Sequence, residues 1–188
     1  MDRRLLVAGV VAVFAAGASA APAEPPSQAA ARGKYLVDAL GCTHCHTPMK
    51  MGPNGPESDP TRLLSGHPQE LKMPPAPKPQ GPWLWSGAAT NTAFAGPWGV
   101  SYATNLTPDP TTGLGGGGWS EEVFVKALKT GKHFGTARPI QPPMPWDGYR
   151  HLTDADLKAV WAYLKSLKPI KNLVPDWEPP AASPAPAK

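Results

Sequence analysis

Cysteine is scarce in this sequence: the 188 residues include only Cys42 and Cys45, which are separated by two residues. A structural zinc site normally takes four Cys or His ligands in two pairs, and the chain has no second C-x-x-C and no H-x-x-x-H. A disulfide across two residues would be strained, and it would leave the adjacent His46 unexplained. A thioredoxin-like redox pair belongs to a β-α-β pattern, which this sequence also lacks. The pattern of the two cysteines therefore argues against a zinc site, a disulfide and a thioredoxin-like redox pair.

Long apolar runs and a strong excess of one charge are missing as well. The longest apolar run, residues 5–16, is too short to span a bilayer comfortably. The 18 basic and 14 acidic residues give a formal charge of +4, and no basic run alternates with aromatic residues. We therefore expect no nucleic acid partner and no transmembrane segment in the mature chain.

The apolar run at the N-terminus has the flanks of a secretory signal. Arg3 and Arg4 precede it, and the small residues Ala18-Ser19-Ala20 follow it as an A-x-A cleavage site. This pattern predicts a signal peptide over residues 1–20, followed by a flexible segment over residues 21–27. We therefore expect an exported protein.

Three stretches have apolar residues at helical spacing, whereas no strong alternating pattern predicts strands. The predicted helices cover residues 27–40, 120–130 and 153–167; they begin at Ser27, Ser120 and Thr153, and they end before Gly41, Gly131 and Pro169. Eighteen of the 26 prolines lie in residues 22–26, 53–82 and 169–186, which predicts long irregular connections. The sequence thus predicts one all-α domain over residues 28–174, followed by a disordered Pro/Ala-rich tail over residues 175–188.

Residues 42–46, Cys-Thr-His-Cys-His, form the C-x-x-C-H signature of c-type haem attachment. The two thiols add across the two vinyl groups of the haem, and the spacing lets them reach both. The imidazole of His46 then lies under the porphyrin plane, where it can bind the iron. We therefore predict one covalent haem c, held by Cys42, Cys45 and His46.

The second axial ligand of the iron is predicted to be Met144. It stands in Pro142-Pro143-Met144-Pro145-Trp146, where prolines restrict the backbone on both sides. A thioether ligand raises the reduction potential by favouring ferrous iron. Met73 is the main alternative, since Met49 and Met51 follow His46 too closely to reach the opposite face. Three further side chains could bind iron by their chemistry: His67, His133 and His151.

Four pieces of the sequence carry a family resemblance: residues 42–48, 105–119, 142–146 and 152–167. Together they resemble a class I cytochrome c, and in particular the bacterial periplasmic monohaem cytochromes. This resemblance implies that His46 and Met144 are the axial pair. It also implies that the first and last helices cross, with Gly33 and Tyr35 near Trp161 and Tyr163. The chain departs from the shortest members of the family by an insertion over about residues 49–118.

The resemblance implies a periplasmic electron carrier and not an enzyme. Its expected partners are redox proteins: a periplasmic dehydrogenase, an oxidase or another cytochrome. Related modules are electron-accepting subunits of periplasmic dehydrogenases, so a subunit of such a complex is one alternative. A haem peroxidase or ligand sensor with an open sixth position is another. By polarity and position, three side chains are candidate neighbours of the haem propionates: Trp98, Asn105 and Arg138.

Overall fold

The computed structural model of the protein describes residues 27–78 and 80–180, so the predicted signal peptide lies outside the described residues. Within them the helices are α1 (Gln28–Ala39), α2 (Cys42–His46), α3 (Glu121–Thr130), α4 (Trp146–Tyr149) and α5 (Asp154–Ser166). The strands are β1 (Met49–Gly52), β2 (Gly55–Ser58), β3 (Ser86–Gly87), β4 (Ala93–Gly96) and β5 (Gly99–Tyr102). Two 3₁₀ turns cover Pro60–Arg62 and His133–Gly135. None of the helices described is long and apolar enough to cross a bilayer.

The three helices predicted from the sequence are confirmed as α1, α3 and α5. Each begins with a hydroxyl side chain that accepts a hydrogen bond from a backbone N–H in the first turn. The three capping residues are Ser27, Ser120 and Thr153. Gly131 ends α3 in the left-handed conformation at φ 68°, which glycine adopts without strain.

Helices α1 and α5 cross at Gly33, as the resemblance implies. A Cβ atom at Gly33 would overlap the carbonyl oxygen of Ala159 and would lie 2.8 Å from the Cβ of Tyr163. The two backbones therefore approach this closely because residue 33 has no side chain. Tyr35, in contrast, is 62% exposed.

The prediction of an all-α fold is wrong, because residues 27–78 and 80–180 include two antiparallel sheets. Strands β1 and β2 form a hairpin, and the other three strands form a sheet in the order β3-β4-β5. These strands have only two to four residues each, which is too short for an alternating pattern to be recognised. Strand β4 has three consecutive buried residues, Ala93, Phe94 and Ala95, and so shows no alternation at all.

The insertion over residues 49–118 packs into the same core as the helices. Leu64 is fully buried and clusters with residues of α1, α3 and α5, and Leu114 joins the same cluster. The backbone N–H of Leu106 donates to the carbonyl of Leu64, which ties two parts of the insertion together. The insertion is thus a part of the domain core.

The segment after α5 is held against the domain up to Pro180, which differs from the expected disorder of residues 175–188. Glu178 exchanges two backbone hydrogen bonds of 2.9 Å with Val100 in β5. The indole N–H of Trp177 donates to the carbonyl of Trp98 at 2.7 Å. Proline-rich composition predicted disorder, yet an extended chain can still pair with a strand edge. Residues 181–188 lie outside the described residues.

Candidate functional site

The four side chains predicted to hold the haem line one cavity of about 390 Å³. Cys42, Cys45 and His46 reach it from α2, and Met144 reaches it from the loop before α4. Apolar side chains of α3 and α5 and the segment 173–177 complete the wall. Among the described residues, those that line this cavity do not include Met73.

The C-x-x-C-H motif presents its three functional side chains from one helical turn. Gly41, in the left-handed conformation at φ 71°, ends α1 and turns the chain directly into α2. Residues at positions i, i+3 and i+4 lie on the same face of a helix. Cys42, Cys45 and His46 have this spacing, so α2 directs all three toward the same cavity.

The imidazole of His46 is buried and fixed in one tautomer. Its Nδ1 lies 2.8 Å from the backbone carbonyl oxygen of Thr104, and because a carbonyl only accepts, Nδ1 carries the proton. The lone pair of Nε2 is then free in the neutral ring. Burial lowers the pKa of His46, although the hydrogen bond to Thr104 opposes this shift. A neutral imidazole with one fixed N–H is the form that binds metals.

The two cysteines form no disulfide, and both are partly buried. Burial raises the pKa of Cys42 to about 11, and it also raises the pKa of Cys45. Redox-active cysteines have the opposite property, since a lowered pKa makes the reactive thiolate. Across the described part of the chain, no group of three or more His, Cys, Asp or Glu side chains could hold a metal ion.

The loop that carries Met144 is held by contacts with other parts of the chain. The hydroxyl of Ser101 in β5 donates to the carbonyl of Pro142 at 2.6 Å. The N–H of Ile140 donates to the carbonyl of Gly131 at 2.8 Å. The ring of Trp146 lies against Gly131, where a Cβ atom would be 2.5 Å from it. These contacts fix both ends of the loop around the partly buried Met144.

The predicted propionate neighbours differ in position. Arg138 and Asn105 line the cavity, and the guanidinium of Arg138 lies 5.9 Å from the centre of the Trp177 ring. The amide of Asn105 is engaged within the fold, where it donates to the carbonyl of Ile170 at 2.8 Å. Among the described residues, the cavity lining does not include Trp98.

The three alternative histidine ligands differ in their position relative to the cavity. His133 lines the cavity, whereas His67 and His151 are not among the lining residues in the described ranges. His67 is fully buried, with Nε2 3.1 Å from the carbonyl of Leu71 and Nδ1 2.9 Å from the hydroxyl of Thr92. Because the carbonyl of Leu71 only accepts, Nε2 carries the proton, and the hydroxyl of Thr92 donates to Nδ1. Both of its nitrogens are therefore occupied by the fold.

Sequence reasoning missed two residues that support the site, Ser101 and Thr104. Thr104 acts through its backbone carbonyl, which every residue type has, so no sequence signal could identify it. Ser101 contacts a loop 41 residues away, and a serine in a short strand carries no local mark of such a role.

The side chains in the cavity fit a covalently attached haem. Two cysteine side chains, one neutral imidazole and one thioether line a largely apolar space. Haem attachment uses the thiols, while the imidazole and the thioether are known axial ligands of haem iron. The apolar wall matches the porphyrin, which needs a site that excludes water.

Several dehydrogenase subunits are similar to this chain. A fructose dehydrogenase cytochrome subunit from Gluconobacter japonicus is 32% identical over 171 residues, which cover 90% of this chain and 28% of that protein. An alcohol dehydrogenase (quinone) cytochrome c subunit from Gluconobacter oxydans is 28% identical over 174 residues, 90% of this chain and 29% of that protein. A gluconate 2-dehydrogenase cytochrome c subunit from Pantoea cypripedii is 31% identical over 134 residues, 70% of this chain and 22% of that protein. The chain spans less than a third of the length of each of these relatives.

The family model described as Cytochrome c matches residues 30–168. This range is well over half of the chain, and it runs from α1 through the C-x-x-C-H motif and the loop of Met144 to the end of α5. Members of this family carry covalently bound haem c with its iron. The chain therefore belongs to the cytochrome c family, as a class I c-type cytochrome that resembles the cytochrome subunits of dehydrogenases.

Proposed function

We propose that this chain is a periplasmic electron-transfer protein with one haem attached to Cys42 and Cys45 and with His46 and Met144 as axial ligands. The observation that carries the proposal is that these four side chains line the same cavity. When bound, the haem supplies one-electron chemistry, because its iron changes between the ferrous and the ferric state.

Each protein group has a separate task in this proposal. His46 binds through Nε2, because Nδ1–H is held by the carbonyl of Thr104. Met144 supplies a thioether, which favours ferrous iron and so raises the reduction potential. Phe124, Leu157 and Leu164 line the cavity with buried apolar side chains and exclude water from it.

With His46 and Met144 as its two axial ligands, the haem would have no open position, which favours an electron carrier over an enzyme. A haem peroxidase or a ligand sensor needs a sixth position that is open or easily vacated. In this chain the loop of Met144 is tied down by Ser101 and by the contacts of Gly131. An exchangeable ligand is therefore the weaker interpretation.

We also propose that the electrons come from or go to another redox protein, with a periplasmic dehydrogenase as the first candidate. This is supported by relatives whose names are cytochrome subunits of fructose, alcohol and gluconate dehydrogenases. Export to the periplasm is supported by the predicted signal peptide over residues 1–20.

The test replaces Met144 by Ala in the haem-loaded protein, with Met73→Ala as the matched control. The wild type should show the weak red absorbance of a ferric iron–thioether bond and should bind carbon monoxide poorly when ferrous. Met144→Ala should abolish the absorbance, admit carbon monoxide and lower the reduction potential. Met73→Ala should do none of these.

Two results would contradict parts of the proposal. If Met73→Ala produces the three effects instead, the ligand assignment is wrong and the carrier function remains. If the wild type already binds carbon monoxide readily and turns over peroxide, the electron-carrier function fails.

A further inference from the structure

A side-chain hydroxyl in strand β5 contacts the loop of Met144. Ser101, in β5, is 8% exposed. Its Oγ lies 2.6 Å from the carbonyl oxygen of Pro142 and 3.4 Å from that of Phe94. A serine hydroxyl has only one hydrogen to donate, so the shorter contact, to Pro142, is the hydrogen bond that it makes.

The oxygen of Ser101 is also fixed as an acceptor. The indole N–H of Trp98 donates to it at 3.2 Å. The carbonyl of Trp98 in turn accepts the indole N–H of Trp177 at 2.7 Å. The indole of Trp98 thus orients the hydroxyl of Ser101 toward Pro142, and Trp177 holds the backbone of Trp98.

The loop of Met144 has few hydrogen bonds of its own, and the short one, from the N–H of Trp146 to the carbonyl of Met144 at 2.9 Å, lies after the methionine. Pro142, Pro143 and Pro145 have no N–H to donate. The N–H of Met144 reaches the carbonyl of Gln141 only at 3.3 Å, which is beyond the usual range of a good N–H···O bond. The donor that holds the loop two residues before Met144 therefore comes from Ser101 in β5.

We propose that Ser101 is a positioning residue that holds the thioether of Met144 on the haem iron. This inference rests on the proposed axial role of Met144. Thr104, three residues after Ser101, holds the imidazole of His46 through its carbonyl. The segment 101–104 of the insertion thus supports both proposed axial ligands, and this gives the insertion a function in setting the iron's ligation.

The test measures how easily an external ligand displaces the thioether. Ferric haem-loaded protein is titrated with imidazole, while the red thioether absorbance is followed. Ser101→Ala should lower the apparent dissociation constant for imidazole about three- to tenfold, which corresponds to the loss of one hydrogen bond. Ser101→Thr keeps the hydroxyl and should restore an affinity close to that of the wild type.

Ser65→Ala is the matched control. The hydroxyl of Ser65 is fully buried and has no hydrogen-bond partner. Its removal makes the same change of side chain without breaking a hydrogen bond, so the imidazole affinity should stay that of the wild type.

The outcomes separate this inference from the proposed function. A wild type without the thioether absorbance would overturn the role of Met144 and, with it, that of Ser101. A normal absorbance with the same imidazole affinity in Ser101→Ala and Ser65→Ala would overturn the role of Ser101 alone. If Ser101→Ala gives no folded haem protein, Trp98→Phe removes the N–H that orients Ser101. Trp98→Phe should also lower the apparent dissociation constant for imidazole. A dissociation constant equal to that of the wild type would overturn the inference.

Discussion

The Nδ1 atom of His46 lies 2.8 Å from the backbone carbonyl oxygen of Thr104, which is 58 residues further along the chain. Thr104 belongs to the insertion that separates the C-x-x-C-H motif from the loop of Met144. Its own side chain is exposed, so only its backbone matters for this contact. The insertion therefore supplies the hydrogen bond that fixes the tautomer of the histidine.

The first prediction concerns the number of haems. The chain has one C-x-x-C-H motif, which uses both of its cysteines. Protein exported from a host with haem-attachment machinery should have the intact mass of the mature polypeptide plus one haem. Cys42→Ala or Cys45→Ala should reduce the attachment to a single thioether bond, and replacement of both should abolish it.

The mass measurement also has clear contrary results. A mature chain without haem would contradict covalent attachment, and a mass with two haems would contradict the single site. The double variant provides the control, since any haem that remains on it after denaturation would be attached elsewhere.

The second prediction concerns the crossing of α1 and α5. Gly33→Ala should reduce the free energy of unfolding by about 1–3 kcal/mol, because the added methyl group overlaps the carbonyl of Ala159. The measurement is denaturant-induced unfolding of the haem-loaded protein. Gly148→Ala is the control: a Cβ atom there meets nothing within 4 Å, so stability should not fall. Equal stabilities of the two variants would contradict the close helix contact.

The sequence revealed the elements whose signals are local. The α3 helix could be delimited to the residue because Ser120 caps it and Gly131 ends it. The C-x-x-C-H motif and the proline-flanked Met144 were found in the same way, and the structure places them around one cavity. Their identity as haem ligands stays a prediction.

The features that sequence reasoning missed depend on contacts between distant residues. The strands of the insertion are too short to show a period, and Trp177 pairs with the chain near Trp98 in spite of its proline-rich surroundings. Leu64 is buried in the core, and its backbone has a positive φ of 57°. No pattern of apolar residues indicates this conformation. These features follow from the tertiary fold, and composition alone misidentified them.

The third prediction is a pH dependence that comes from Asp109. Burial raises the pKa of its carboxyl, but hydrogen bonds from Thr112 and Thr111 outweigh burial and lower the pKa to about 2. The ordinary value is 3.8. A depressed pKa in the folded state gives stability that is present above pH 3.8 and is lost as the pH falls toward 2.

Asp109→Asn should remove this part of the pH dependence. Its unfolding midpoint should be lower than that of the wild type near neutral pH, and the two should converge between about pH 4 and pH 2. Asp147→Asn, at an exposed position, is the control. Its unfolding midpoint should change with pH as steeply as that of the wild type. If the unfolding midpoint of Asp109→Asn falls with decreasing pH as steeply as that of the wild type, other carboxyl groups cause the acid sensitivity.

The last prediction compares two shortened chains, one that ends after Pro180 and one that ends after Val174. A chain that ends after Pro180 keeps the bond of Trp177 to Trp98 and the bonds of Glu178 to β5, including the 2.6 Å bond from the hydroxyl of Tyr102 to Glu178. It should unfold like the full chain and have the same reduction potential. A chain that ends after Val174 loses these bonds, which should cost about 2–4 kcal/mol of stability at roughly 1 kcal/mol for each hydrogen bond.

The shorter chain should also have a lower reduction potential. Pro175, Asp176 and Trp177 line the cavity, so their loss admits water beside the haem, and water favours the more highly charged ferric iron. Trp177→Ala, which leaves the chain end unchanged, should lower the potential in the same direction and so excludes an effect of the new terminal carboxylate. If the chain that ends after Val174 matches the chain that ends after Pro180 in both stability and potential, residues 175–180 are no wall of the haem site.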